Sequence, residues 1–198
     1  MRVTIKSALK SASVASALVL ATAGQAWAVP IHAQWSGSGW DTHIDNLDDE
    51  YPINISIAEA TGSFGISRVE ISAEFLAEDP NDPDDTDGIV CDEGYDLLLG
   101  FVYSAQVLTF NNHDQLFGAS DTGWICINET TGKYYGMGYG AYVDGTGRFS
   151  GSNGIWETTF EGMNLEMPEE VTGLKPVGFR SITGKLTGNV NMHGSGTD

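Results

Sequence analysis

Basic residues are scarce in this chain: nine Lys and Arg stand against 27 Asp and Glu, a formal net charge of −18 over 198 residues. Such a field repels phosphate backbones and anionic lipid headgroups, which argues against nucleic acid and membrane surfaces as partners. No apolar run approaches the roughly 20 residues of a membrane-spanning helix. A Gly-x-Ser-x-Gly nucleophile signature is missing. The four histidines (His32, His43, His113, His193) lie far apart and lack the Glu spacing of a zinc hydrolase, so metal catalysis has no anchor. Asp121-Thr122-Gly123 has the letters of an aspartic-protease loop but occurs once, where a two-carboxylate site needs a pair. None of these three catalytic signatures is complete in the chain.

Cysteine is nearly absent as well, with only Cys91 and Cys126. Neither has a second Cys or a His at ligand spacing, which weakens a metal or thiol role. The compartment decides their state, and the first 28 residues speak to it. Arg2, Lys6 and Lys10 precede a short apolar stretch over residues 14–23, and Ala26-Trp27-Ala28 has the small–x–small form of a signal-peptidase site. This predicts a signal peptide over residues 1–28, cleaved before Val29, and a secreted or periplasmic protein. No Cys adjoins the site, so a lipoprotein is not expected. Removing this segment leaves six basic residues against 27 acidic ones, a net charge of −21. In an exported protein an even cysteine pair is expected to form a disulfide, here Cys91–Cys126.

The remaining residues 29–198 have the length of one domain, and no repeat or internal boundary interrupts them. Twenty-five glycines and few helical patterns point to an all-β chain. The clearest segment is residues 182–192, where Ile182, Gly184, Leu186, Gly188, Val190 and Met192 alternate with Thr183, Lys185, Thr187, Asn189 and Asn191. That is a half-buried strand. A looser alternation over residues 63–76 breaks near Ser67-Arg68, where a bulge would restore the face. Further strands are expected over 31–40, 51–57, 95–110, 115–118, 124–128, 134–143 and 155–160, with a turn at Asn111-Asn112-His113-Asp114. This count predicts an antiparallel, closed or nearly closed barrel of about eight strands, with a β-sandwich as the alternative. An outer-membrane barrel is disfavoured, because the strand exteriors are too polar and no terminal aromatic strand ends the chain.

Two long connections interrupt the strands. Residues 163–178 carry Pro168 and Pro176, and residues 78–94 form an acidic loop with Pro80 and Pro83. Asp82, Asp84, Asp85 and Asp87 crowd enough oxygens to make that loop a candidate calcium site, with a solvated acidic loop as the competing reading. Pro83 and Gly94 fall where an EF-hand needs its first and twelfth ligands, so that motif fails. No other cofactor is expected. No Lys or Arg occurs from Val69 through Gly132, a window holding fourteen carboxylates.

The run Tyr142-Val143-Asp144-Gly145-Thr146-Gly147-Arg148-Phe149-Ser150-Gly151-Ser152-Asn153-Gly154 resembles a Gly-Gly-Thr-Gly-x-Phe-x-Gly-Ala-x-Gly signature of the allene oxide cyclase and dirigent-like barrels, shared with exported bacterial proteins of unknown role. Gly145, Thr146, Gly147, Phe149, Gly151 and Gly154 match, while Asp144 and Ser152 depart from it. The resemblance implies a small barrel, and in plant members a chamber that guides cyclisation or coupling of a hydrophobic molecule. It covers a turn and transfers no catalytic residue. Trp35, Trp40, Trp124 and Trp156, with Tyr134, Tyr135 and Tyr139, supply either a core or a carbohydrate or lipophilic pocket. The sequence thus favours a non-catalytic binding or structural module of unknown partner. The alternative is a cyclase-like or isomerase-like barrel acting on a small hydrophobic ligand.

Overall fold

The computed structural model describes residues 27–42, 53–77, 88–165 and 179–192. Eight strands occupy nearly all of them: β1 (Trp27–Thr42), β2 (Ile53–Gly62), β3 (Ile66–Ala77), β4 (Leu97–Phe110), β5 (Gln115–Ile127), β6 (Lys133–Gly145), β7 (Asn153–Leu165) and β8 (Phe179–Met192). Each pairs antiparallel with the next, and β8 pairs with β1, so the sheet closes as a barrel in chain order. Closure leaves no unpaired strand edge. It decides for the barrel over the sandwich.

Period-two alternation builds the wall where it is strongest. In β8, Ile182, Leu186 and Val190 are buried, while Thr183, Lys185, Thr187 and Asn189 are exposed. In β3 the register slips between Ile66 and Arg68, so Ile66 shares the inner face with Val69, Ala73 and Phe75 despite the odd spacing. The extra residue absorbs a half-period and bends the strand.

Three expectations about boundaries change. The segments 115–118 and 124–128 are one strand, β5, whose register shifts between Ala119 and Thr122. There the Ser120 hydroxyl donates to the Thr122 carbonyl and accepts from its amide, both at 2.9 Å, which satisfies the groups that the irregularity frees. β7 runs on to Leu165, so residues 163–165 belong to a strand and not to the long connection. Ser63–Gly65 is a tight 3-10 turn instead of strand. The candidate calcium residues Asp82, Asp84, Asp85 and Asp87 lie outside the described residues.

Packing inside the wall sets several large rings beside a glycine on the neighbouring strand. A Cβ at Gly184 would overlap the Trp35 indole, and one at Gly140 the Trp156 indole. Gly136 likewise leaves room for Phe160. An eight-stranded barrel has a bore just wide enough for side chains to fill. The glycines let it hold rings of that size.

The disulfide joins Cys91 to Cys126, with Cα atoms 5.7 Å apart and a sequence separation of 35. It straps the segment that precedes β4 to β5. The same segment is held by the Asp92 amide donating to the Tyr135 hydroxyl and the Asp96 amide donating to the Ile127 carbonyl, at 2.8 and 3.0 Å. Closing a loop of that length stabilises the native state by about 4 kcal/mol in the chain-entropy account.

Candidate functional site

The bore divides into an apolar half and a polar half. Ile31, Leu108, Leu116, Leu186 and Val190 fill the half that meets the β2–β3, β4–β5 and β6–β7 turns, none of them more than 1% exposed. The β6–β7 connection folds over this end, and Phe149 plugs it with no exposed surface. Phe149 stacks on Phe110 with ring centroids 4.4 Å apart. The Arg148 guanidinium lies 4.9 Å from the Phe149 ring and 5.0 Å from Phe110, and donates at 2.9 Å to the Phe64 carbonyl. Its Nε stands 3.4 Å from the Asp114 carboxylate. One cation thereby ties three turns to the plug.

Most of the matched turn residues serve this closure, while Gly154 lies in β7 and lets it approach the Asn189 carbonyl of β8. The Thr146 hydroxyl accepts from the Gln115 amide at 2.8 Å. Gly147 has φ 56° and a Cβ there would run into Asp114, so only glycine fits. Asp144, which departs from the resembled pattern, accepts from the amides of Gly145 at 2.7 Å and Gly151 at 2.9 Å. Those two bonds, Gly145 first, hold its carboxyl below the usual carboxylate range.

The other half of the bore is polar. Asn54, Ser56, Ser104, Gln106, Thr158 and Arg180 all face inward and are buried. The Ser56 hydroxyl donates to Asn54 at 2.9 Å and the Thr158 hydroxyl to the Lys185 carbonyl at 3.0 Å. Arg180 lies over the Tyr134 ring, 5.5 Å from its centroid. The Tyr134 hydroxyl donates to the Ser181 carbonyl at 2.8 Å. These groups, with the rings of Phe75, Phe101, Trp156 and Phe160, enclose a cavity of about 30 Å³. That is room for a water or two. The Gln106 amide nitrogen and the Trp156 indole nitrogen find no acceptor among the described residues, and both crowd Gly118.

This chamber has little to offer acid–base chemistry. Among the described residues, its lining contains no carboxylate, imidazole or free thiol. Burial pushes the phenol of Tyr142, deeper in the bore, well above its ordinary value, so it stays protonated. No group of three or more His, Cys, Asp or Glu among the described residues could hold a metal. A wider concavity lies elsewhere, about 1350 Å³ and open, and includes outward residues such as Tyr135, Thr159, Glu161 and Lys185.

The sequence-predicted aromatic group is split by the wall. Trp35 and Trp156 are buried in the bore, whereas Trp124 meets Tyr135 edge-on at 5.5 Å on the outside. Tyr134 points inward and its neighbours Tyr135 and Tyr139 outward, as alternation in β6 requires. Asp121 is exposed in the β5 irregularity, and His32 and His113 are exposed on β1 and in the β4–β5 turn. His43 and His193 lie outside the described residues. The buried polar set of Asn54, Ser56, Ser104, Gln106, Thr158 and Arg180 has no motif in the sequence. Its one signal is period-two placement in β2 and β4, which apolar neighbours on both faces obscure. Comparison of the chain with protein-family models, with curated proteins and with solved structures found no match.

Proposed function

We propose that this protein is an exported, non-catalytic binding or structural module, a closed barrel that works through its outer wall and loops. The observation that carries the reading is the filled bore: the enclosed space is about 30 Å³, far below the few hundred Å³ that a small-molecule site occupies. Trp35, Trp156 and Phe160 take up the volume that a hydrophobic substrate would need. The resemblance of residues 142–154 to allene oxide cyclase and dirigent-like barrels suits a common turn, and here that turn serves as a plug. Export is supported by the signal-like residues 1–28. Cleavage before Val29 would take only two residues from β1 and leave Val29 paired with Val190.

The experiment uses the two bore indoles as reporters. Titration with a long-chain fatty acid and with an apolar aromatic ketone should leave tryptophan emission unchanged at tens of micromolar. A saturable shift, weakened when Ala73→Val narrows the cavity, would establish a ligand chamber and overturn the reading in favour of the cyclase-like alternative.

A further inference from the structure

One stretch of the outer wall is apolar and edged by acid. Ala105, Ala119, Ala141 and Ile155 stand in one register row across β4, β5, β6 and β7. Val107, Phe117 and Val143 lie on one side of this row, Tyr103 and Tyr139 on the other. Val143 and Ile155 are 61% and 66% exposed, and Tyr103 and Tyr139 are 53% and 41% exposed. Outward positions in the middle of β8 and β1 are by contrast Ser181, Thr183, Lys185, Thr187, Asn189, Gln34, Ser36 and Ser38, while Phe179 at the start of β8 and Leu165 at the end of β7 are exposed toward the opposite end of the barrel. The row and its flanking residues form one contiguous apolar strip, which scattered surface hydrophobes do not.

Carboxylates edge it in register. Glu74 is paired with Tyr103 and Glu157 with Tyr139, and Asp121 adjoins Thr122, the other neighbour of Tyr139. Arg68, the basic residue of the adjoining β3, is tied to Glu70 at 2.6 Å. Each exposed tyrosine thus stands beside a carboxylate, an arrangement that attracts cations through both the ring face and the anion.

We propose that this face docks the basic surface of a partner protein, one with an apolar centre flanked by Lys or Arg. Charge complementarity selects that occupant. A second copy would set the same carboxylates against each other. The inference rests on the barrel being a binding module, and names the surface and the partner class.

The test uses an 18-residue amphipathic Lys/Leu peptide carrying a fluorophore, read by anisotropy at 50 and 500 mM NaCl. The full-length mature protein should bind it, at least tenfold more weakly at the higher salt. Val143→Ser with Ile155→Ser should weaken binding at least fivefold with no change of charge, and Asp121→Asn with Glu157→Gln comparably. A Lys/Ser peptide of equal charge should bind at least fivefold more weakly, and Ser38→Ala on the far wall should bind like the parent. All these substitutions are at exposed positions, and unchanged melting temperatures verify folding. Equal affinity across the variants would reduce the effect to general attraction and overturn the proposal. So would no binding at 50 mM, or concentration-dependent mass in ultracentrifugation that the Val143/Ile155 variant loses, which would mark a second copy. The indole titration is independent of all of these, so failure here leaves the filled-bore reading standing.

Discussion

Leu186 and Thr187 are neighbours in β8 and opposites in environment. Leu186 is 1% exposed among the buried residues that line the bore, and Thr187 faces solvent. Leu186→Ala removes apolar contact and leaves a cavity in a bore whose wall cannot collapse without breaking ladders on both sides. It should destabilise by about 2–5 kcal/mol. Thr187→Ala should change stability by no more than about 0.5 kcal/mol. Denaturant melts of the two variants check this, and equal losses would contradict the assignment of faces. Gly188, the next residue, belongs to the same argument. A Cβ at Gly188 would overlap the Ile155 carbonyl, so that position tolerates nothing larger than hydrogen.

The β6–β7 hairpin shows how far the amino-acid sequence could be read at the level of strands and turns. Its glycine spacing marked a turn, and in the folded chain Phe149 closes the barrel end from that turn. The dual capping by Asp144 was not legible, since it depends on Gly145 and Gly151 converging on one carboxylate. Phe149→Ala should cost about 3–5 kcal/mol in denaturant melts. Asp144 supplies a sign for pH. Its folded pKa lies below its unfolded value, so its stabilisation is present above about pH 4 and is lost as pH falls through the folded pKa. Asp144→Asn should therefore flatten the fall in melting temperature between pH 5 and pH 3; a slope unchanged from the parent would show that the caps do not discriminate charge. Elsewhere, β8 and the bulge in β3 were readable because alternation survives in them. β5 was split in two by reading, because Gly118 to Gly123 is rich in turn formers, yet ladders to β4 and β6 hold it extended. β2 inverts the usual sense: Asn54 and Ser56 face the bore while Ile53, Ile55 and Ile57 stay half-buried on the outside. The polar chamber draws on β2, β4, β7 and β8, a grouping that exists only once the barrel closes.

Closure also concentrates charge. The window from Val69 through Gly132 holds fourteen carboxylates and no base, and eight of them (Glu70, Glu74, Asp92, Glu93, Asp96, Asp114, Asp121 and Glu129) are among the described residues, in β3 to β5 and the segments that adjoin them, in a chain whose formal charge is −18. Self-repulsion of that kind destabilises a compact state, and salt screens it within about 10 Å at 0.1 M. Raising NaCl from 0 to 0.5 M should therefore raise the melting temperature by a few degrees, each 1 kcal/mol being worth about 2–4 °C at this chain length. Divalent ions separate screening from ligation. Calcium and magnesium carry the same charge, but an oxygen-rich site of flexible geometry prefers calcium, because magnesium gives up its waters reluctantly. If the acidic loop over residues 78–94 is only solvated, 1 mM CaCl2 and 1 mM MgCl2 should raise the melting temperature equally. A calcium site with a dissociation constant near 10 μM would instead add about 2.7 kcal/mol at that concentration. That excess would vanish in Asp85→Asn with Asp87→Asn while the NaCl response persisted. Scanning calorimetry in the three salts distinguishes the cases, and the expected result is equality of the two divalent ions, because Pro83 and Gly94 stand where an EF-hand needs its first and twelfth ligands.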